Sequence, residues 1–390
     1  MNRIHMVHDD LLFSVCDRFF AGHSATQIAG DIQREKLGRL NREQVYPLLQ
    51  EARRRGYLLL CPPIERVLTQ RIVDHYQLHQ EHPAKGTPAH DQSDGGRRRR
   101  SVVVANVGGG DSVLEHVTVK AAELALGVIR DLAHAKGGGR AVNVGLASGH
   151  TSMKVAYHLA NMLRREPAPI RLVLHSLSSG FSVENPEVSS VSFFNFFHDF
   201  DNVTYVGLFA PPFVATSEYE GLKTQPSVAK SFEHAAEIDV VITSLASADD
   251  EHGELRKFVR EGSGTDPYLA GGSSSRGARS LKQDQEKLLE GLRAQSWVGD
   301  VQYRPYSATG PLADDIAIRA VTLFDLPELV ELASKADKAV ILVAGPCGSC
   351  GKSRSQALKP LLSEPSLAVW SHVVMDAQTA EDCLPAPLKH

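Results

Sequence analysis

The sequence predicts an α/β protein in which a small winged helix-turn-helix domain precedes a larger Rossmann-like domain built on a parallel sheet. Three observations support this fold class. Residues 1–80 show helical periodicity, residues 81–100 form a polar break, and residues 101–390 alternate short apolar strands with helical segments. The length of 390 residues and the apolar content of 42% suit two globular domains, one of them large.

The N-terminal part has three helical patterns with recognisable ends. Gly22 stops the first, Ser24 is an N-cap for the second, and Asn41 is a cap for the third, which Gly56 ends. The apolar segment "YLLLC" after Gly56 predicts a short strand. Three helices and a strand in this length are typical of a winged helix-turn-helix. Residues 64–79 predict a further connecting helix.

The third helix is the predicted recognition helix. Side chains near its start would reach base edges, and basic side chains at its end would hold phosphates. The candidates for base contact are Asn41, Arg42, Glu43 and Gln44, and the candidates for phosphate contact are Arg53, Arg54 and Arg55. A solvated helix end, favoured by the helix dipole, is the alternative for the three arginines. Pro47 removes a hydrogen bond from this helix unless it lies in the first turn.

Residues 81–100, "EHPAKGTPAHDQSDGGRRRR", predict a flexible basic linker. Arg97 to Arg100 would contact DNA phosphates or form a solvated charge run. Residues 1–100 carry 16 Lys and Arg against 12 Asp and Glu, whereas the remaining chain carries 26 against 34. This mild asymmetry permits a polyanionic partner at the N-terminal end and disfavours one over most of the C-terminal part.

Composition also excludes several classes of protein. No apolar run reaches the length of about 18 residues that spans a bilayer, and the first ten residues lack the apolar core of a secretory signal. Five Cys in 390 residues do not form a disulfide framework. We therefore expect a cytoplasmic protein without membrane contact.

The second domain is predicted from six apolar strands with helical patterns between several of them. The strands are "SVVVANV", "AVNVGLA", "IRLVLHSL", "NVTYVGLFA", "IDVVITSLA" and "KAVILVAG". This alternation is typical of a mostly parallel sheet covered by helices. The Gly- and Ser-rich residues 262–280 predict a solvated loop, with a lid over a ligand as the alternative. The aromatic segment "SFFNFFHDF" predicts core or a subunit interface.

The loop "GLASGHTS" joins a predicted strand to a predicted helix and suits a phosphate. Gly145 and Gly149 free the backbone to turn, and the N–H groups at the helix start attract anions. It is neither a Walker loop nor a dinucleotide fingerprint, and a tight capped turn without a ligand is the alternative. The candidate effector-binding residues here are Gly145, Ser148, Gly149, His150, Thr151 and Ser152.

A second loop, "VILVAGPCGSCGKSRSQALKPLL", repeats this design. Gly351 lies in the turn, Lys352 offers a cation to a phosphate, and a helix begins near Ser353. Cys347 and Cys350 form a lone Cys-x-x-Cys pair, which is a weak zinc signal without a second pair. Incidental cysteines are the preferred interpretation and redox modulation the alternative. No metal or cofactor is therefore predicted.

Together these motifs resemble the SorC/DeoR-like bacterial transcriptional regulators with a C-terminal sugar-binding domain, of the central glycolytic gene regulator type. The likeness runs from about residue 11 to residue 384. It rests on the order and spacing of "ATQIA", "REQVYPLLQEARRRGYLLL", "GLFAPPFVAT", "PSVAKSFEHAAEIDVVITSLA", "WVGDVQYRPYSATG", "VAGPCGSCGKSRSQALKPLL" and "VVMDAQTAEDCL".

The resemblance implies a sensor domain related to glucosamine-6-phosphate deaminase and ribose-5-phosphate isomerase. In such domains the first loop and the signature lysine hold a sugar phosphate, which implies roles for Gly149, Thr151, Ser152 and Lys352. An acidic residue that meets sugar hydroxyls corresponds to Asp300. Operator DNA and a phosphorylated sugar are the implied partners, and a homodimer or homotetramer the implied assembly.

Departures from the family pattern keep alternatives open. Leu177, Ser178 and Ser179 stand where bisphosphate-binding members carry Arg-Gly-Gly, and Asp249, Asp250 and Glu251 replace a Gly-Ile-Gly loop. Carboxylates repel a second phosphate, which favours a monophosphate or a less charged effector. A phosphosugar isomerase or deaminase, with His252 and the carboxylates in acid–base roles, is one alternative. The turn before the third helix is also longer than usual, so a metabolite-binding protein whose helices contact protein is another.

Overall fold

The computed structural model describes residues 9–78, 100–107, 113–137, 139–166, 169–179, 185–261, 290–312 and 318–385. The chain divides into two compact units, residues 1–61 and residues 62–390. The predicted linker, apart from Arg100, and the Gly- and Ser-rich residues 262–280 lie outside the described residues. None of the helices in the described part of the chain is long and apolar enough to cross a membrane.

The first unit consists of three helices around a small apolar core. The helices are α1 (Asp9–Phe20), α2 (Ala25–Arg34) and α3 (Arg42–Arg54). The buried residues are Leu12, Val15, Cys16, Ala25, Ile28, Ala29, Ile32, Val45, Leu48 and Ala52. Ser24 and Asn41 each form a capping box with a Gln at the third helical position, which confirms both predicted caps.

The strand predicted for residues 57–61 is wrong. Gly56 adopts a φ of +78°, and the Tyr57 N–H donates to the carbonyl of Ala52 at 2.8 Å. The backbone is therefore used to cap the C-terminus of α3 instead of pairing in a sheet. No described residue of the first unit lies in a strand, so the wing is absent there. Pro47 is the sixth residue of α3, beyond its first turn, and the helix lacks the hydrogen bond that an N–H would donate there.

The second unit is built on a sheet whose seven central strands are all parallel. Their order is β1-β12-β11-β6-β2-β3-β4, with every neighbouring pair parallel. These strands are β1 (Ser101–Ala105), β2 (Val142–Leu146), β3 (Leu172–Ser176), β4 (Val203–Val206), β6 (Val240–Ser247), β11 (Ala339–Ala344) and β12 (His372–Asp376). The six predicted strands are confirmed.

Shorter strands extend this architecture. β7 (Gly299–Val301) pairs antiparallel with the end of β6 and continues into β8 (Arg304–Ser307) and β9 (Gly310–Pro311). A separate antiparallel pair joins β5 (Phe213–Ala215) to β10 (Ile318–Ala320). β6 therefore carries both the parallel core and the antiparallel extension.

Nine helices of the second unit lie among the described residues. They are α4 (Arg66–His75), α5 (Val113–Ala135), α6 (His150–Leu163), α7 (Tyr219–Lys223), α8 (Pro226–Glu233), α9 (Glu254–Glu261), α10 (Leu326–Ser334), α11 (Ser355–Ser363) and α12 (Ala377–Cys383). The Asp376 side chain accepts a hydrogen bond from the Thr379 N–H at 2.9 Å, which confirms its predicted role as the cap of α12. Phe193 and Phe197 of the aromatic segment are fully buried core residues.

The helix α4 belongs to the second unit, so the structural division lies after residue 61 and not near the predicted residue 80. Leu68, Ile72 and Val73 are buried in the core of the second unit. The Tyr76 hydroxyl donates to the carbonyl of Cys383 at 2.7 Å. Apolar side chains on one face of α4 thus have their partners in the sheet domain, which sequence periodicity does not reveal.

Two contacts hold the chain around β1, one edge strand of the sheet. The Glu65 N–H donates to the carbonyl of Val104 at 2.8 Å, so the chain entering α4 covers the exposed edge of β1. Just before β1, the Arg100 guanidinium lies 5.1 Å from the centre of the Trp370 ring. Trp370 is fully buried, and its Nε1–H donates to the carbonyl of Leu361. The last residue of the predicted linker is therefore held against the core.

Candidate functional site

A cleft opens where the central strands β2, β6 and β11 end. It has about 750 Å³ of empty space counted out to its open mouth. The loops that follow these three strands line it, together with the turn between β7 and β8. Open parallel sheets place their ligand sites at the carboxyl ends of the strands.

The start of α6 forms one wall of this cleft. Ser148, Gly149, His150 and Thr151, four of the residues predicted for effector binding in the first loop, line it. Gly149 is the N-cap with a φ of +114°, a conformation that favours glycine, and no side chain caps the helix. The first N–H groups of α6 therefore lack both an intrahelical acceptor and a side-chain acceptor.

A network of buried serine hydroxyls holds this loop in place. The Ser148 hydroxyl lies 2.9 Å from that of Ser178 and 3.2 Å from that of Ser190. The Ser176 hydroxyl lies 2.6 Å from that of Ser190. Ser178, in the segment that departs from the Arg-Gly-Gly pattern, thus supports the cleft from behind. Because its hydroxyl makes these contacts, Ser148 acts as a positioning residue.

Two predicted residues of the first loop lie outside the cleft lining. A Cβ on Gly145 would lie 2.4 Å from a methyl group of Leu177, so glycine here allows close packing between β2 and the end of β3. Ser152 is 1% exposed, and its hydroxyl has no hydrogen-bond partner among the described residues. Both belong to the supporting structure behind the cleft.

Arg354, and not the predicted Lys352, brings the cation of the second loop to the cleft. Lys352 and Gly351 lie outside the lining, and the Lys352 ammonium pairs with Asp249. The Arg354 guanidinium lies 3.1 Å from the carboxylate of the buried Asp250. Burial raises the pKa of Asp250, but Arg354 and the His252 N–H together lower it by more, so its pKa lies below the ordinary value. The carboxylate of Asp250, after β6, and the guanidinium of Arg354, after β11, therefore neutralise each other's charge.

Asp300 lies in the cleft, where the sequence placed an acidic residue. It is 4% exposed. Burial raises its pKa to about 7, against the smaller opposing effects of Arg354 and the Tyr303 N–H. This carboxyl group therefore changes its protonation near neutral pH and is able to donate or accept a hydrogen bond.

Gln302 is a cleft residue that the sequence analysis missed. It follows β7 in a two-residue turn, and both Gln302 and Tyr303 adopt left-handed φ values, 51° and 63°. Such turns usually carry Asn or Gly. Gln302 is 5% exposed, and neither its amide oxygen nor its amide nitrogen has a partner among the described residues. The only signal in the sequence that could have indicated Gln302 is that this two-residue turn contains neither Asn nor Gly.

The remaining wall of the cleft is also polar. Glu254 and Lys257, one turn apart at the start of α9, form an ion pair of 3.1 Å. Outside the lining, Trp297, just before β7, donates its Nε1–H to the carbonyl of Gly299 at 3.0 Å. The cleft thus combines paired charges with unpaired hydrogen-bonding groups, an arrangement suited to a small hydroxylated ligand.

In the first unit, the structure separates the predicted DNA-binding residues into two groups. Asn41 and Gln44 exchange side-chain-to-backbone hydrogen bonds in the capping box. Arg54 and Arg55 pair with Glu51, and hydrogen bonds from Arg54 lower the pKa of Glu51 to about 2. The group without such contacts in the described part of the chain is Arg42, Glu43 and Arg53.

No protein-family model matches this chain, and no curated protein matches it in sequence. Its fold is shared with solved structures of transcriptional regulators. The full-length sorbitol operon regulator SorC from Klebsiella pneumoniae is 12% identical, with a TM-score of 0.56, over 97% of this chain and 99% of that one. The probable sor operon regulator from Shigella flexneri is 11% identical, with a TM-score of 0.53, over 82% and 99%. A DeoR family transcriptional regulator from Listeria monocytogenes is 17% identical, with a TM-score of 0.51, over 82% and 99%.

Proposed function

We propose that the chain is a DNA-binding transcriptional regulator of carbohydrate metabolism whose affinity for its operator is controlled by a phosphorylated sugar. The sugar phosphate binds in the cleft of the second unit. The three helices of the first unit bind DNA as a helix-turn-helix. The active form is a homodimer or homotetramer, since symmetric operators are bound by symmetric proteins.

The observation that carries this proposal is the amide of Gln302. A buried amide without a partner costs about 1–3 kcal/mol, and a left-handed backbone for a residue other than glycine adds strain. A sugar hydroxyl that donates to the amide oxygen and accepts from the amide nitrogen would remove the first cost. Strain and unsatisfied polar groups that cluster in one cleft support ligand binding there.

The groups around Gln302 suit two different parts of the ligand. The uncapped N–H groups at the start of α6 suit the phosphate. Asp300 and Gln302 suit the hydroxyls, because a carboxyl group with a pKa of about 7 is both donor and acceptor. Since Lys352 and Arg354 are already paired with carboxylates, the cleft favours one phosphate over two.

The DNA-binding role rests on the first unit. Residues 35–41 join α2 to α3, and the exposed start of α3 offers Arg42 and Glu43 to base edges. Arg53 near its end offers a cation to a phosphate. Fold similarity to known regulators supports this assignment by analogy.

A phosphosugar isomerase or deaminase is the second candidate, and Asp300 is the observation that favours it. General acids and bases have pKa values near the working pH, and Asp300 has this property inside a cleft. His252 and Glu254 also line the cleft and provide further acid–base groups.

An electrophoretic mobility shift with the full chain tests both candidates. The probe is DNA from upstream of the protein's own gene, at two salt concentrations, with and without a pool of sugar phosphates. We expect a specific, salt-sensitive shift that one sugar phosphate alters. The Gln302→Ala variant should bind the same DNA and no longer respond, whereas Arg53→Ala should bind DNA more weakly and still bind the sugar phosphate.

Each outcome separates the candidates. Consumption of a sugar phosphate without a specific shift would replace the regulator with the enzyme. A specific shift that no sugar phosphate alters would refute effector control and leave the DNA-binding role intact.

A further inference from the structure

Four metal-ligating side chains meet beside the cleft, from loops that are far apart in sequence. Asp250 and His252 follow β6, and Cys347 and Cys350 follow β11. Their ligand atoms all lie within 4.8 Å of one another. A tetrahedral zinc site places its ligand atoms about 3.4–3.8 Å apart, given zinc distances of about 2.0–2.3 Å. Side-chain rotations that move the ligand atoms by less than about 1.5 Å therefore close the cluster around one ion.

The backbone of the second loop is shaped for paired sulfur ligands. The Gly351 N–H donates to the carbonyl of Cys347 at 2.8 Å, and the Cys347 N–H donates to the carbonyl of Lys352 at 2.9 Å. Gly351 adopts a φ of +70°, which folds Cys350 back towards Cys347. Burial raises the pKa of the Cys347 thiol, and the N–H groups of Ser349 and Cys350, which donate to its sulfur, oppose this rise.

The first loop is equally fixed. The His252 N–H donates to Oδ1 of Asp250 at 3.0 Å, and the His252 Nδ1 lies 3.6 Å from the same oxygen. Arg354 holds Oδ2 of Asp250 at 3.1 Å. The carboxylate is thus oriented from outside, as outer partners orient metal ligands in zinc sites.

Charge also balances at this position. Two thiolates and one carboxylate carry three negative charges, which a divalent cation and the guanidinium of Arg354 cancel. A neutral His252 completes the set. Cys, His and Asp in a tetrahedral arrangement select zinc over the oxygen-seeking cations magnesium and calcium.

We propose that this cluster is a structural zinc site with four protein ligands: Asp250, His252, Cys347 and Cys350. Binding releases the two thiol protons to solvent, and no oxidation occurs. The ion joins the loop after β6 to the loop after β11, and both loops line the cleft. His252 and Cys347 also line the cleft, but zinc binding here does not require the ligand and DNA roles proposed above.

Metal analysis of the full chain, purified reduced and without chelator, tests this proposal. We expect about one zinc per chain, which is removable by a strong chelator and restored by Zn²⁺ alone. Replacement by Co²⁺ should give the intense absorption of cobalt–thiolate charge transfer. Competition with a chromophoric chelator should show that Cys350→Ser weakens Zn²⁺ binding by more than about 100-fold, since even the loss of outer partners costs roughly 10- to 100-fold.

The exposed Cys61 provides the matched control, because Cys61→Ser removes a thiol from the first unit. This variant should retain zinc with unchanged affinity. Circular dichroism checks that Cys350→Ser is folded, and His252→Ala serves as the second variant if it is not. Unchanged Zn²⁺ affinity in both ligand variants would overturn the proposal. So would a reduced wild-type chain that takes up neither Zn²⁺ nor Co²⁺.

Discussion

At the scale of single residues, Gln302 has a backbone conformation that glycine adopts at lower cost. Its φ of 51° is left-handed, and its amide has no partner among the described residues. Residues that lower stability in this way persist where binding requires them. We infer that this turn lowers the stability of the ligand-free protein and raises its affinity for a ligand.

Replacing Gln302 by glycine should therefore stabilise the ligand-free protein. We expect Gln302→Gly to raise the free energy of unfolding by about 1 kcal/mol, because the strain and the unsatisfied amide are both removed. Urea unfolding measures this change. The same variant should lose its response to sugar phosphates.

Ser296 supplies the control for this prediction. It also has a left-handed φ, 55°, and it does not line the cleft. Ser296→Gly should gain stability without any loss of ligand response. A Gln302→Gly variant that is less stable than wild type would show that the side chain contributes to packing instead of binding.

Asp300 predicts a characteristic dependence of stability on pH. Its pKa in the folded chain, about 7, lies above the ordinary value of 3.8. A group with a raised pKa in the folded state gives stability that is fully present below the ordinary pKa and is lost as the pH rises through the folded pKa. Between about pH 4 and pH 7 the wild type should lose up to about 1.4 kcal/mol per pH unit from this group.

The Asp300→Asn variant should lack this loss, because it stays neutral at every pH. Urea unfolding of both proteins at pH 5, 6, 7 and 8 measures the difference, which should grow in favour of the variant up to about pH 7. Parallel profiles across this range would mean that Asp300 is ionised throughout in the folded protein.

At the scale of elements, the sequence predicts the parallel strands and the helix caps well. The parallel strands were recognisable because their continuous apolar runs need no partner to be identified. Ser24, Asn41 and Asp376 were recognisable because an N-cap depends on its own side chain and the next turn. The segment after Gly56 was mistaken for a strand because its apolar residues pack locally and its backbone caps a helix.

Site residues depend on partners that are far apart in sequence. Lys352 lay in the expected position, but Asp249, 103 residues earlier, binds its ammonium group. Asp250 and the two cysteines meet only because β6 and β11 are neighbours in the sheet. Gln302 carries no motif at all. Such pairings follow from topology and cannot be deduced from spacing along the chain.

The ion pairs of α3 predict which arginines contribute to DNA binding. Arg53→Ala should reduce the slope of log affinity against log salt by about one, since one phosphate contact is lost. Arg54→Ala should change the slope less, because Glu51 already binds Arg54. Fluorescence anisotropy with upstream DNA at several salt concentrations measures both slopes, and equal slopes for the two variants would contradict this assignment.

At the scale of the whole molecule, the division after residue 61 assigns α4 to the second unit. Leu68, Ile72 and Val73 are buried there, and each fully buried apolar side chain contributes about 1.5–3 kcal/mol. The segment around Glu65 also covers the edge of β1. The sheet domain thus includes residues that the sequence assigned to its neighbour.

Truncation tests this division directly. A fragment of residues 62–390 should unfold cooperatively and keep the cleft, whereas a fragment of residues 81–390 should be several kcal/mol less stable or aggregate, because it loses three buried side chains of α4. Circular dichroism with thermal unfolding compares them. Equal stability of the two fragments would place the boundary at residue 80 after all.

Tryptophan occurs only twice in the chain, and the fold gives the two indoles different surroundings. Trp370 is fully buried and its ring is covered by Arg100, so its fluorescence emission should stay constant until the sheet domain unfolds. Trp297 donates its Nε1–H to the carbonyl of Gly299, the first residue of β7, and precedes Asp300 by three residues and Gln302 by five on the same hairpin. Its emission should change when the hairpin takes up a ligand. Trp297 should therefore report ligand binding and Trp370 should serve as an internal reference. A ligand could then be found by titration of the intrinsic fluorescence, without any added dye.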